Sequence, residues 1–221
     1  MQGCAGGDRG GGGARGRQRT RCWQVLLAAA LAAGASIARP AAAAVTAAEE
    51  GKPLWGFVSE ARVGVLSHDI VFPGLHSLKA PNPFRHRYER GVNLNAEVIF
   101  VSPRFFRWIG APRPRLGGSV NTVGQTSNVY LDLDWTYQFR AGPFLEGFFG
   151  GTWHDGKLYH ANPTRIEFGS RMLFHVGGEV GWRLFGHHGV SLFWEHMSNS
   201  ALAKRNQGAD NMGLRYSYRF D

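Results

Sequence analysis

Asn128–Phe139, NVYLDLDWTYQF, alternates without a break. Val129, Leu131, Leu133, Trp135, Tyr137 and Phe139 share one parity, and Asn128, Tyr130, Asp132, Asp134, Thr136 and Gln138 share the other. Side chains of a strand point alternately to opposite faces, so the segment is a strand with one apolar face and one polar face. A single strand of this kind fits a half-buried sheet as well as a membrane wall. Its neighbours decide between the two.

C-terminal to it, a turn at Arg140–Gly142 leads to Pro143–His154, whose phase is ambiguous because Phe and Gly occur on both faces. Ser170–Phe185 restores the pattern, with Met172, Phe174, Val176, Val180, Trp182 and Leu184 opposite Arg171, His175, Glu179 and Arg183. Val190–Ser198 and Asp210–Phe220 follow in the same manner. N-terminal to it, Arg115–Thr122 is the weakest segment, because Gly117 and Gly118 lower strand propensity. Val92–Val101 alternates strictly, and Phe57–His68 puts Phe57, Ala61, Val63 and Val65 opposite Glu60, Arg62 and His68.

An even series of eight such segments, each roughly ten residues long, is the signature of an outer-membrane β-barrel with apolar residues toward lipid. The expected fold is an all-β, eight-stranded antiparallel transmembrane β-barrel. A barrel of this size has an inside that side chains fill. The inward charges, from Glu60 and Arg62 through Glu97, Asp132, Asp134, Arg171, His175, Glu179, Arg183 and Glu195 to Arg215 and Arg219, are therefore expected to form a plugged ion-pair network. Connections after the first, fifth and seventh strands are long and those after the fourth and sixth are tight, which assigns the long ones to the cell exterior. The long Ser102–Pro114 segment and the short Val123–Ser127 segment break that rule.

Residues 1–44 read as a secretory signal peptide: a Gly/Arg-rich start, the apolar Trp23–Ile37, and small residues at Ala41–Ala44. The Gly/Arg-rich tail also fits a start codon assigned too far upstream. Residues 45–56 are a lead-in and 57–221 the barrel. The leader carries six Arg and one Asp, net +5, so only +4 of the formal +9 belongs to the rest, and nucleic-acid binding loses its support. Cys4 and Cys22 both lie in the leader, leaving the remainder without a disulfide framework. No residue pattern calls for a metal or another cofactor. His187 and His188 are read as turn residues.

Polar residues interrupt the lipid-facing parity at one place. Val190, Leu192, Trp194, His196 and Ser198 share a face, and so do Asp210, Met212, Leu214, Tyr216, Tyr218 and Phe220 on the next strand. If those strands pair, a hydroxyl, an imidazole and a carboxylate meet where the loop begins. Nucleophilic ester hydrolysis needs those three groups in contact.

The run His196-Met-Ser198-Asn199, followed by Asn206-Gln-Gly208 and Asp210, resembles the signature of the PagL lipid A 3-O-deacylase family, in which H-x-S-N precedes a spaced N-x-G and then a Glu. Gly64–Asp69 and Asn121–Tyr130 look like segments of the same family. The resemblance implies an outer-membrane serine esterase that removes the 3-position acyl chain of lipid A. Ser198 would be the nucleophile, His196 the general base, Asp210 the orienting acid in place of Glu, and Asn199 an oxyanion-hole donor. Asn206 and Gly208 would support the loop, while Trp194, Lys204, Arg205 and Tyr216 are candidate lipid contacts. The implied partners are lipopolysaccharide, the outer-membrane assembly machinery that recognises a terminal aromatic near Phe220, and a second copy of the chain. Two other readings stand beside this one: a non-enzymatic structural or adhesion barrel, and a barrel phospholipase.

Overall fold

The computed structural model describes residues 53–72, 81–159 and 162–220; the expected signal peptide lies outside them. The strands are β1 (Val58–Ser67), β2 (Ile70–Val71), β3 (Asn82–His86), β4 (Val92–Phe100), β5 (Arg113–Asn121), β6 (Asn128–Gln138), β7 (Pro143–His154), β8 (Met172–Leu184), β9 (His188–Ser198) and β10 (Ala209–Arg219). Eight of them close a barrel in the order β1-β10-β9-β8-β7-β6-β5-β4, and each neighbouring pair is antiparallel. The segment that decided the reading, β6, pairs with β7 in one unbroken register from Asn128↔His154 to Gln138↔Phe144.

Alternation sorts the side chains. Outward Val65, Leu131, Met172 and Leu214 are each more than half exposed. Inward Glu60, Arg115, His175 and Glu195 are fully buried. Lipid needs an apolar exterior, while the polar groups of a filled barrel must find one another. The 11 residues of β9, rising ~3.4 Å each and tilted by ~40°, cross about 25–30 Å, the height of such an apolar band.

The interior holds Arg62 among Glu60 (2.9 Å), Glu146 (2.6 Å) and Glu179 (3.1 Å). Arg115 meets Asp132 at 2.9 Å and lies 3.6 Å over the Phe148 ring. Arg215 pairs with Glu97 and lies over Phe193. His175 bridges Asp132 (2.9 Å) and Glu195 (3.0 Å). Ions of both signs are thus neutralised at contact distance, and Phe148 and Phe193, stacked at 5.5 Å, fill the space between them.

Four features depart from the sequence expectations. Arg171 is exposed and precedes β8; its guanidinium donates to the carbonyls of His154 and Gly156 instead of entering the network. Gly117 lies inside a well-formed strand, and a Cβ there would come within 2.6 Å of the Tyr130 ring, whose hydroxyl donates to Glu97 across it. The glycine makes room for that ring, which outweighs its low strand propensity. The phase of β7 is settled by Phe144 and Phe148, both buried inward beneath Arg183 and Arg115. Ser102–Pro114 contains a short 3-10 helix, Arg104–Ile109, ended by Gly110 at φ 91°.

The connection from β1 to β4 carries the β2–β3 hairpin, unforeseen from alternation because its strands are short. It leans over the outer wall: outward Ser67 donates to the Pro83 carbonyl, and Phe72 stacks on outward Trp194 with centroids 4.9 Å apart.

Candidate active site

Toward the loop end of β9 and β10 the outward face changes character. Val190, Leu192, Leu214 and Tyr216 are exposed, whereas His196, Ser198 and Asp210 are only 7%, 6% and 6% exposed. They keep the lipid-side parity, but Phe72 and the loop from Asn199 to Gly208 close over this part of the wall. His196 and Asp210 are direct cross-strand partners, and His196 Nδ1 lies 2.9 Å from Asp210 Oδ1. Facing residues of an antiparallel pair have Cβ atoms ~5 Å apart, which a short carboxylate and an imidazole can span. The shorter acid therefore reaches the ring without an extra methylene.

Ser198 follows two residues along the same face. Gly208 sits against both groups: a Cβ on it would lie 3.2 Å from His196 Cε1 and 3.3 Å from Ser198 Cβ. Its φ of +61° is in the region that glycine enters without steric cost. The Nδ1 contact leaves Nε2 as the ring nitrogen through which His196 can exchange a proton with a hydroxyl.

The loop is shaped by Asn199. Its backbone N–H donates to Asn206 Oδ1 at 2.9 Å, and its Nδ2 donates to the carbonyls of Phe168 (2.6 Å) and Arg205 (2.5 Å). Both amide hydrogens are committed to carbonyls, so here Asn199 ties the loop to the β7–β8 connection and is not set as an oxyanion donor. Ser200 and Ala201 adopt positive φ values of 52° and 64°, a tight reversal held by Leu202 N–H donating to Asn199 O. Gln207 adds a second tie, its Oε1 accepting from Glu167 N–H at 2.6 Å.

The other expected site residues separate. Trp194 is covered by Phe72 and does not face bare lipid. Lys204 is exposed, and Arg205 is engaged with Glu167 at 2.9 Å. Tyr216 is paired with Val190 near the far end of β9, where its hydroxyl meets His188 Nδ1 at 2.6 Å. Six residues of strand, about 20 Å, separate it from Asp210, so it serves the opposite rim of the barrel.

Groups that alternation could not find lie in the first long connection. Asp69 is fully buried; burial raises its pKa even though Arg87 Nη2 stands 3.0 Å from Oδ1. Glu89 lies beneath the loops, where burial opposes its charge but hydrogen bonds from His68 and Thr126 hold its pKa down to about 2. It also pairs with Arg165 at 2.8 Å and accepts from Ile166 N–H at 3.3 Å. The Ser67-His68-Asp69 run, where β1 ends and the connection begins, was the one sequence signal for this cluster. Among the described residues no group of three or more His, Cys, Asp or Glu is placed to hold a metal ion.

A profile of the lipid A 3-O-deacylase (PagL) family matches residues 91–219. No curated protein gives a significant match to the chain. Among solved structures the chain is similar to the outer membrane enzyme PagL, at 15% identity and TM-score 0.49, covering 73% of this chain and 98% of that one. It is also similar to the N-terminal β-barrel domain of Pseudomonas aeruginosa OprF, at 4% identity and TM-score 0.43, covering 73% and 99%. Neisserial surface protein A matches at 9% identity and TM-score 0.40, covering 75% and 97%. With the profile spanning β4 to β10 and the whole of the His196–Asp210 motif, the chain belongs to the lipid A 3-O-deacylase (PagL) family.

Proposed function

We propose that Ser198, His196 and Asp210 carry out the reaction of this family in this chain, hydrolysis of the ester that holds the acyl chain at the 3-position of lipid A. The protein is an outer-membrane ester hydrolase of lipid A. The observation that supports the residue assignment is the 2.9 Å contact between His196 and Asp210 on lipid-side positions beside Ser198.

In this reading Ser198 Oγ attacks the ester carbonyl carbon while His196 Nε2 takes its proton. Asp210 holds Nδ1 protonated and stabilises the imidazolium as it forms. The tetrahedral intermediate collapses by breaking the bond to the sugar 3-oxygen, which leaves with the proton from His196. Water, deprotonated by the same ring, then releases the 3-hydroxy fatty acid from Ser198. Because the Asn199 amide is occupied, the oxyanion donors are backbone N–H groups of the loop that Asn199 shapes.

The site lies at the barrel end that bears the connections 68–91, 122–127, 155–171 and 199–208, whereas the tight turns 139–142 and 185–187 lie at the other. Long connections face the exterior in outer-membrane barrels, which puts the site at the outer leaflet. The aromatic Phe220, whose N–H pairs with Ser59 O beside the seam, fits delivery by the assembly machinery.

The test uses purified protein in detergent with lipopolysaccharide. Wild type releases a free 3-hydroxy fatty acid, mass spectrometry of the lipid A shows loss of one ester-linked hydroxyacyl group, and Ser198→Ala does neither. A folded Ser198→Ala protein that still hydrolyses the ester refutes the nucleophile assignment. Release of phospholipid chains instead supports the phospholipase reading, and no release from either lipid supports the structural barrel.

A further inference from the structure

Arg87 follows β3 and is separated from Gly208 by 121 residues in sequence, yet its Nη2 donates to the Gly208 carbonyl. The same nitrogen donates to Asp69 Oδ1 at 3.0 Å. We infer that Arg87 is a positioning residue for ester cleavage, fixing Gly208 against His196 and Ser198 by holding its carbonyl to the Asp69 carboxylate. The inference rests on the assignment of Ser198 and His196 made above.

Asp69 is a firm anchor because it is held from three sides. Its Oδ2 accepts from Tyr88 N–H (2.7 Å) and Glu89 N–H (3.0 Å), and its own N–H donates to Asn211 Oδ1 at 2.9 Å. Asn211 is the inward neighbour of Asp210 and donates to Glu195 at 2.7 Å; Glu195 in turn meets His175. The guanidinium is thus tied to the barrel interior and not only to a surface loop. At the other end, Gly208 has no room to spare: the space a Cβ would take is bounded by Met197 O at 3.0 Å, His196 Cε1 at 3.2 Å and Ser198 Cβ at 3.3 Å. With the carbonyl held on one side, and His196 Cε1 and Ser198 Cβ bounding the position beside its Cα on the other, the residue that begins the return to β10 lies where its placement bears on both groups. Without Arg87 the carbonyl loses this partner, and Gly208 is free to shift relative to His196 and Ser198. Displacement of about 1 Å at a reacting pair costs on the order of 100-fold in rate.

A surface arginine near a lipid A hydrolase has an obvious rival role, direct contact with the phosphates of the substrate. The two roles differ in which kinetic constant moves and on which substrate. Steady-state rates are measured for wild type, Arg87→Ala and Arg87→Lys on lipid A and on dephosphorylated lipid A, with folding read from heat-modifiable migration on gels. A positioning role lowers kcat about 10- to 100-fold in Arg87→Ala on both substrates with KM nearly unchanged. Arg87→Lys recovers part of it, because a single nitrogen makes both contacts. Combining Arg87→Ala with Gly208→Ala then costs less than the product of the two single losses.

A rise in KM confined to the phosphorylated substrate, with kcat kept, overturns the inference in favour of phosphate binding. Full activity of a folded Arg87→Ala on both substrates overturns it outright. Arg87→Lys is read against wild type in the same way, so a folding loss in Arg87→Ala leaves the comparison standing. Ser198→Ala is run in parallel: activity in that protein refutes the nucleophile, whereas a normal Arg87→Ala beside a dead Ser198→Ala refutes only the role of Arg87.

Discussion

Replacing Asp210 by Asn keeps the size of the side chain and removes its charge. The contact to His196 Nδ1 is 2.9 Å, and both groups are less than a tenth exposed, so little solvent screens them. A hydrogen bond to a charged group is worth about 1.5–3 kcal/mol. In the proposed mechanism the ring gains positive charge as it takes the Ser198 proton, so the loss is expected on kcat and amounts to roughly 10- to 150-fold at ~1.4 kcal/mol per decade. The amide adds a second penalty. Its NH2, turned to Nδ1, favours the tautomer with the proton on Nε2, the nitrogen that must accept from Ser198, so the loss is expected at or above the upper end. Asp210→Glu lengthens the side chain by about 1.5 Å where the acid already touches the ring, and is expected to lower kcat roughly 3- to 10-fold. The assay is release of 3-hydroxy fatty acid from lipopolysaccharide in detergent, with kcat and KM measured separately. A folded Asp210→Asn protein as fast as wild type would remove the carboxylate from the mechanism, and an Asp210→Glu protein faster than wild type would show that the contact is too long.

Arg62→Met leaves Glu60, Glu146 and Glu179 without the cation between them, and the barrel is expected to lose about 3–5 kcal/mol, read from urea unfolding in lipid vesicles; an unchanged midpoint would show that the network adds nothing. Glu89, held at about 2 against an ordinary 4.5, favours the folded loops by up to ~3 kcal/mol above pH 4.5, and that contribution drains away as pH falls toward 2. Hydrogen exchange at Thr126 and Ile166, corrected for intrinsic rate, should therefore accelerate between pH 4.5 and 2 in wild type, and Glu89→Gln should abolish that dependence; identical profiles would exclude Glu89 as the cause.

The barrel and the His196–Ser198–Asp210 face were legible because period-two alternation is a local property. A strand such as β6 states its faces whatever it pairs with, and parity alone placed three polar groups on the lipid side. Contacts that depend on distant chain segments were not legible. Nothing around Arg87 announces a partner 121 residues away, and nothing in the Gly117-Gly118 pair reveals the Tyr130 ring crossing it. The surroundings of Asn199 and Tyr216 were hidden for the same reason. Sequence proximity to Ser198 suggested chemistry for Asn199, where the geometry gives it carbonyls to hold, and the lipid-side parity of Tyr216 did not reveal that its hydroxyl meets His188 at the far rim.

The acid stands on the last strand, which is also the stave that completes the circle against β1. A nascent polypeptide halted before Ala209 has a hydroxyl and an imidazole but neither their carboxylate nor a sealed cylinder to hold them. On the proposed assignment of Asp210, competence to cut fatty chains arrives together with closure, so an unfolded precursor crossing the periplasm carries no blade that could damage lipids on the way.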